Sequence, residues 1–238
     1  MAKTLTARGS AQVDTAQKKF GTGSGLFTSG STDAVDTPDH ADWTFGSGDF
    51  TVEFQVRFSS VPTNTKFFIS HRGEPTDRGW DIVYNGSPDP DVLRFEYFIT
   101  GDDVNGFSRD WAASANTWYH VAVARDGNNV RMFVDGTQLG ATVDFTGVTI
   151  FNSTSILSIG NRVGVADTID GWLDEIRISN TARYTANFTA PTVAFDYDAN
   201  TVLLVHCDGA DASTTFTDDD TTDAGAIIAA NHFLLMGV

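Results

Sequence analysis

Nine consecutive residues, Phe50 through Phe58, alternate large apolar and polar side chains without a break. Successive side chains of an extended chain point to opposite faces, whereas a helix returns to one face every three or four residues. Phe50, Val52, Phe54, Val56 and Phe58 therefore predict one core-facing row, and Thr51, Glu53, Gln55 and Arg57 a row turned away from it. A helix would scatter the same apolar side chains around its circumference.

Similar short runs recur along the chain, separated by turn residues. Strands are predicted at Lys66–Ser70, Gly79–Tyr84, Val92–Thr100, Trp118–Arg125, Asn129–Val134, Thr137–Ala141, Ile156–Gly160, Trp172–Ser179 and Thr201–Cys207. Asp126-Gly127-Asn128 predicts a hairpin, because Gly and Asn tolerate positive φ. A single short helical turn is expected at Thr181–Ala186. Strands about every 8–15 residues with no alternating helices predict an all-β sandwich or barrel. With 18 Phe and 5 Trp the chain has enough apolar bulk for a substantial core. Residues 1–218 read as one domain. Residues 219–238 read as a polar linker and an apolar tail, Ala224–Val238, which either packs on the domain or docks elsewhere.

The net charge of −16 argues against nucleic acid as a partner, since phosphate contact needs clustered Lys and Arg. It suits divalent cations, a basic protein partner or simply a solvated surface. Cys207 is the only cysteine, so no intramolecular disulfide forms, and its apolar neighbours predict burial. The opening Met1–Thr6 lacks the apolar core of a signal peptide, and no stretch approaches the ~20 apolar residues of a membrane span. The expectation is cytoplasmic synthesis without membrane insertion, followed by release on lysis, unless an upstream segment directs export.

Three blocks carry a family resemblance. Trp118-Tyr119-His120-Val121-Ala122, the turn, and the strand ending Val134-Asp135-Gly136 resemble the central hairpin of laminin-G-like, concanavalin A-like jelly rolls. Ser158-Ile159-Gly160 with Asp170-Gly171-Trp172-Leu173-Asp174-Glu175-Ile176-Arg177 resembles their late strand pair, and Phe20–Phe58 their opening strands. The resemblance implies a two-sheet antiparallel jelly-roll sandwich, a fold that serves carbohydrate-binding modules, adhesins and phage or bacterial surface proteins. One segment is displaced. The family's opening strand and loop resemble Leu203-Leu204-Val205-His206-Cys207-Asp208-Gly209 near the C-terminus. That strand is expected to complete either its own sheet or, by exchange, a neighbour's.

The resemblance also implies one structural calcium ion, held by Asp174, Asp208, Asp211 and Asp218. Family glycanases place carboxylates as E-x-D-x-x-E on one strand, and Glu53, Glu74, Glu96 and Glu175 do not have that spacing. Asp174 and Glu175, adjacent in a strand, are expected on opposite faces. No enzyme is expected. Sugar recognition needs aromatic faces beside polar groups. The segment Gly101–Trp111, read as a loop, offers Asp102, Asp103, Asn105 and Trp111, joined by Arg78 and Tyr84. Trp118 and Trp172 are expected in the core, and His120 as a structural histidine. The functional expectation is a non-enzymatic phage virion protein, decorating a capsid or tail, with virion proteins, copies of itself or glycans as partners. The alternative is a carbohydrate-binding module or adhesin fragment of a secreted bacterial protein.

Overall fold

A computed structural model of the chain describes residues 2–85 and 91–220. The first strands are β1 (Thr6–Arg8), β2 (Gln12–Asp14), β3 (Ser24–Phe27) and β4 (Ala34–Thr37). They are followed by β5 (Phe50–Phe58), β6 (Lys66–Arg72), β7 (Arg78–Asn85) and β8 (Val92–Tyr97). Next come β9 (Asn105–Asp110), β10 (Trp118–Asp126), β11 (Asn129–Val134) and β12 (Thr137–Gln138). The last are β13 (Val143–Asp144), β14 (Leu157–Ile159), β15 (Gly171–Ser179) and β16 (Thr201–Val205). Among the described residues the one helical element is a 3-10 turn at Ala41–Trp43. Thr181–Ala186, expected as a helical turn, forms bends instead.

Two antiparallel sheets stack into a sandwich. One runs β1-β4-β14-β6-β7-β8-β9. The other runs β12-β11-β10-β5-β15-β3-β2, with β13 also on β11 and β16 also on β15. The alternation of β5 works as predicted on its inner side: Phe50, Val52, Phe54, Val56 and Phe58 are fully buried in the shared core. The expectation for its other side is corrected. Thr51, Glu53 and Gln55 are also fully buried, because the segment after β15 returns across the outer face of this sheet. Tyr184 and Phe188 stack at 3.6 Å and pack on Ala122, Ala124 and Phe133, making a second small core.

The displaced strand has a definite place. β15 pairs with β5 along one side, while its other side is shared end to end by β3 and β16. Leu203, Leu204 and Val205 are buried, so β16 fills the position within its own sheet. The C-terminal segment then closes against the N-terminal one, as Val13 N–H donates to the Ser213 carbonyl and Ala212 N–H to the Val13 carbonyl. Asp219 N–H donates to Leu204. The expectations for Ala224–Val238 lie outside the described residues. Among the described residues no helix is long and apolar enough to cross a membrane.

Candidate functional site

The two sheets differ in what lies over them. The nine-stranded sheet carries the 181–195 segment, whereas the outward side of the seven-stranded sheet holds a mostly polar row whose central members, Ser158, Ser70 and Asp81, are buried. Register aligns Thr6, Asp36, Ser158, Ser70, Asp81, Glu96 and Gly106, one residue on each of β1, β4, β14, β6, β7, β8 and β9. Their strand neighbours Val35, Leu157, Ile159, Ile69, Trp80, Ile82 and Phe95 point into the core, so period-two alternation turns this rung outward.

The rung is cross-linked along its length. Ser158 Oγ donates to Asp36 Oδ1 at 2.6 Å, and Arg8 lies 3.5 Å from the other Asp36 oxygen. Ser70 donates to Asp81, and Arg72 Nη1 reaches Asp81 Oδ2 at 3.1 Å and Glu96 Oε2 at 3.5 Å. Arg94 Nε donates to Glu96 Oε1 at 2.8 Å. Burial pushes Asp81 up to about 6 despite Arg72 and the Ser70 hydroxyl, and burial likewise raises Asp36.

The sugar-binding set expected from sequence does not assemble. Asn105–Asp110 is an edge strand rather than part of a loop, and Asp102 and Asp103 sit at its start while Trp111 follows its end. Six residues of strand separate the two groups by roughly 20 Å. Asp103 caps the turn, accepting from the backbone N–H groups of Ile99 and Thr100 and from the Asn105 amide. Asp102 accepts from Thr100 Oγ1. Trp111 and Tyr84 are in the core, edge to face at 5.4 Å, so neither ring offers a surface to a sugar. The tryptophans expected in the core are the half-buried ones. Trp118 is partly exposed, and Trp172 carries the Arg57 guanidinium at 4.7 Å while its Nε1 donates to Asp14. Of the expected residues, Arg78 alone lies with the polar face, on the β6–β7 side of the rung.

A β-bulge corrects a second expectation. Leu173 and Ile176 both point into the core, and two residues instead of one lie between them. Asp174 and Glu175 therefore share the outer side, with Glu175 at φ +51°. Glu175 binds Phe195 N–H at 2.6 Å and His206 Nδ1 at 2.8 Å. Burial pushes Asp174 up to about 7, against the Phe20 and Lys19 N–H groups that it accepts.

The four carboxylates expected to hold calcium are each engaged by backbone N–H groups. Asp174 is occupied by those two N–H groups, Asp208 by Thr22 and Gly23, Asp211 by Thr15, and Asp218 by Leu204 and Lys3. Among the described residues no three acidic, His or Cys side chains converge as a metal site.

What sequence reading missed is the cluster around Glu53. This fully buried carboxylate accepts from His120 Nε2 at 3.0 Å, Arg177 Nε at 2.9 Å and Tyr184 Oη at 2.7 Å. Burial opposes its charge, but His120 and Arg177 together hold it below the usual carboxylate range. The only advance signal was an acidic residue in the outward row of an apolar strand. His120 is buried against Glu53, and its Nδ1 has no hydrogen-bond partner, so the ring is only half satisfied.

Residues 29–187 match the Laminin_G_3 family model, described as the concanavalin A-like lectin/glucanases superfamily. The chain belongs to that superfamily. Comparison with curated proteins finds no match. Among solved structures, the binding domain of Paraclostridial Mosquitocidal Protein 1 superposes with TM-score 0.59 at 15% identity, over 76% of this chain and 45% of that one. A putative carbohydrate binding protein from Bacteroides ovatus gives 0.58 at 13%, over 88% and 53%. Domain 4 of AbnA, a GH43 extracellular arabinanase from Geobacillus stearothermophilus, in complex with arabinotriose, gives 0.55 at 17%, over 76% and 82%. The chain thus spans about half the length of the first two. At these identities the likeness is one of fold, and this superfamily member's own site must be argued from its residues.

Proposed function

We propose that the chain is a non-catalytic glycan-binding domain whose recognition surface is the outer face of the seven-stranded sheet. The observation that carries this reading is the pair of partly exposed charged clusters on this face, Arg8 with Asp36 and Arg94 with Glu96, set on either side of the rung's buried centre. Sugar hydroxyl groups pair with carboxylate and guanidinium groups, and Asp36, Arg8, Glu96 and Arg94 are held on strands where they need no loop rearrangement to do so. The carbohydrate-related neighbours lend support at the level of fold.

Binding is favoured over hydrolysis by the state of the carboxylates. Asp81 and Glu96 face each other across β7 and β8, the arrangement in which a glycosidase acid pair would be sought. However, Arg72 bridges both, Arg94 holds Glu96, and fully buried Asp81 is engaged by Ser70. Neither carboxylate is left free to deliver a proton to a glycosidic oxygen.

A glycan array followed by calorimetry tests the reading. The wild-type chain should bind an oligosaccharide without releasing reducing ends. Arg94→Ala combined with Glu96→Ala should weaken binding at least about tenfold, the loss of charge-assisted hydrogen bonds. Unchanged affinity in that variant, or no binding across the array, defeats the proposal. The setting proposed with it is a phage virion, where the chain would meet other virion proteins. Recovery of the chain with assembled particles tests that placement, and absence from them defeats it.

A further inference from the structure

Five of the chain's eleven arginines, Arg8, Arg72, Arg78, Arg94 and Arg162, gather over the seven-stranded sheet of a protein whose net charge is −16. Three of them converge on one carboxylate. Arg72 Nε and Nη2 lie 3.0 and 2.8 Å from Glu74 Oε1, Arg162 Nη1 lies 2.5 Å from the same oxygen, and Arg78 Nη2 lies 2.7 Å from Oε2. The cations are the sheltered partners: the arginine side chains are 12–18% exposed, and that of Glu74 is 41% exposed.

Each guanidinium is also held in place from below. Arg72 and Arg78 lie 5.2 and 5.6 Å from the Phe98 ring centre, and Arg162 lies 5.1 Å from that of Phe67. Three guanidinium groups carry far more donors than one carboxylate accepts. The buried Nε atoms of Arg78 and Arg162 have no hydrogen-bond partner. A surface ion pair made for stability alone contributes little and needs one partner, not three.

We propose that Arg72, Arg78 and Arg162 form a subsite for the carboxylate of an acidic sugar, which Glu74 occupies as an internal stand-in when no ligand is bound. Arg72 joins this tripod to the rung through Asp81 and Glu96, so the assignment rests on the glycan-binding reading and narrows it to uronic or similar carboxylate-bearing residues. The planar, two-oxygen acceptor already seated there favours a carboxylate over a tetrahedral sulfate.

The test is titration of the full chain with methyl β-D-glucuronide, methyl β-D-glucoside and inorganic sulfate, observed at the arginine Nε–Hε NMR resonances. Glucuronide should give saturable shifts at the three arginines, and glucoside none. Arg78→Ala with Arg162→Ala should weaken glucuronide binding at least about tenfold, Arg72 being kept because it also holds Asp81. Glu74→Ala should tighten binding several-fold by removing the competitor, an outcome that a purely structural ion pair would not produce. Equal response to glucuronide and glucoside, weaker binding in the Glu74→Ala variant, or sulfate binding as well as glucuronide would each overturn the assignment. If neutral oligosaccharides bind through Arg94 and Glu96 while the tripod ignores glucuronide, the subsite alone fails. If glucuronide binds the tripod but no oligosaccharide binds the array, the broader reading fails and the anion site stands.

Discussion

Glu53 shows how one side chain organises the outer layer of the nine-stranded sheet. It sits on β5 where alternation predicts solvent, yet His120, Arg177 and Tyr184 all donate to it under the 181–195 segment. Truncating Glu53 leaves the Arg177 guanidinium desolvated without its counter-charge and takes away the acceptor of His120 and Tyr184. Glu53→Ala is therefore expected to cost about 3–5 kcal/mol of unfolding free energy, measured by urea denaturation at pH 7. The sign with pH follows from the depressed carboxyl. Its contribution is present above the unfolded value near 4.5 and is lost as pH falls through the lower folded value, so wild type and variant should converge in acid. Equal stabilities at pH 7 would show that the cluster is not what pins the segment. At this scale the sequence was a partial guide. Hydrophobicity marked which residues were large and apolar, but could not say that Trp111 is sealed by Phe58, Phe68 and Tyr84 while Trp172 lies half-buried under Arg57. Those differences depend on which element comes to lie above a given face.

Strand content was the most legible property, because a period of two needs only local information. β5, β10 and β11 stand within a residue of their expected limits. β9 was missed because Asn105–Asp110 has Gly and polar residues where edge strands tolerate them, and the pattern reads as loop. The bulge at Asp174–Glu175 was also illegible: inserting one residue leaves a sequence looking regular while reversing where its side chains point. The polar rung belongs to this same scale, since it exists only through the register of seven strands. Its buried carboxyl has a measurable consequence. Asp81 is pushed up to about 6 by burial, so its favourable contribution is complete below the unfolded value of 3.8 and is lost as pH rises through about 6. The shift corresponds to about 3 kcal/mol between those limits. Asp81→Asn should flatten that descending part of the stability–pH curve, read by denaturant titration between pH 4 and 7. An identical slope in the variant would show that Asp81 ionises without cost and that Arg72 fully compensates its burial.

Across the whole molecule, β16 and the residues after it, to 220, join the N-terminal strands to complete the sandwich. β16 fills the edge that the family resemblance placed at the start of the chain, and the residues after it lie along β2. The sequence displayed that segment as a displaced block, but only pairing with β15 could decide whose sheet it completes. The same closure determines what the acidic residues near the ends do. Asp208 receives Thr22 and Gly23 N–H, Asp174 receives Lys19 and Phe20, and Asp211 receives Thr15, so segment 15–23 is fastened by carboxyl groups to β15 and to the segment after β16. Each contact joins a carboxyl acceptor to backbone donors, and substitution of Asp208 by Ala should cost about 0.5–1.5 kcal/mol. A cation entering this region would have to displace the N–H groups and turn carbonyl oxygens inward. The melting temperature should therefore be the same in millimolar calcium and in excess chelator, for wild type and for Asp208→Ala alike, by differential scanning calorimetry. A calcium-dependent rise in wild type that vanishes in the variant would mean that segment 15–23 adopts a second arrangement, with oxygens in place of the amide hydrogens.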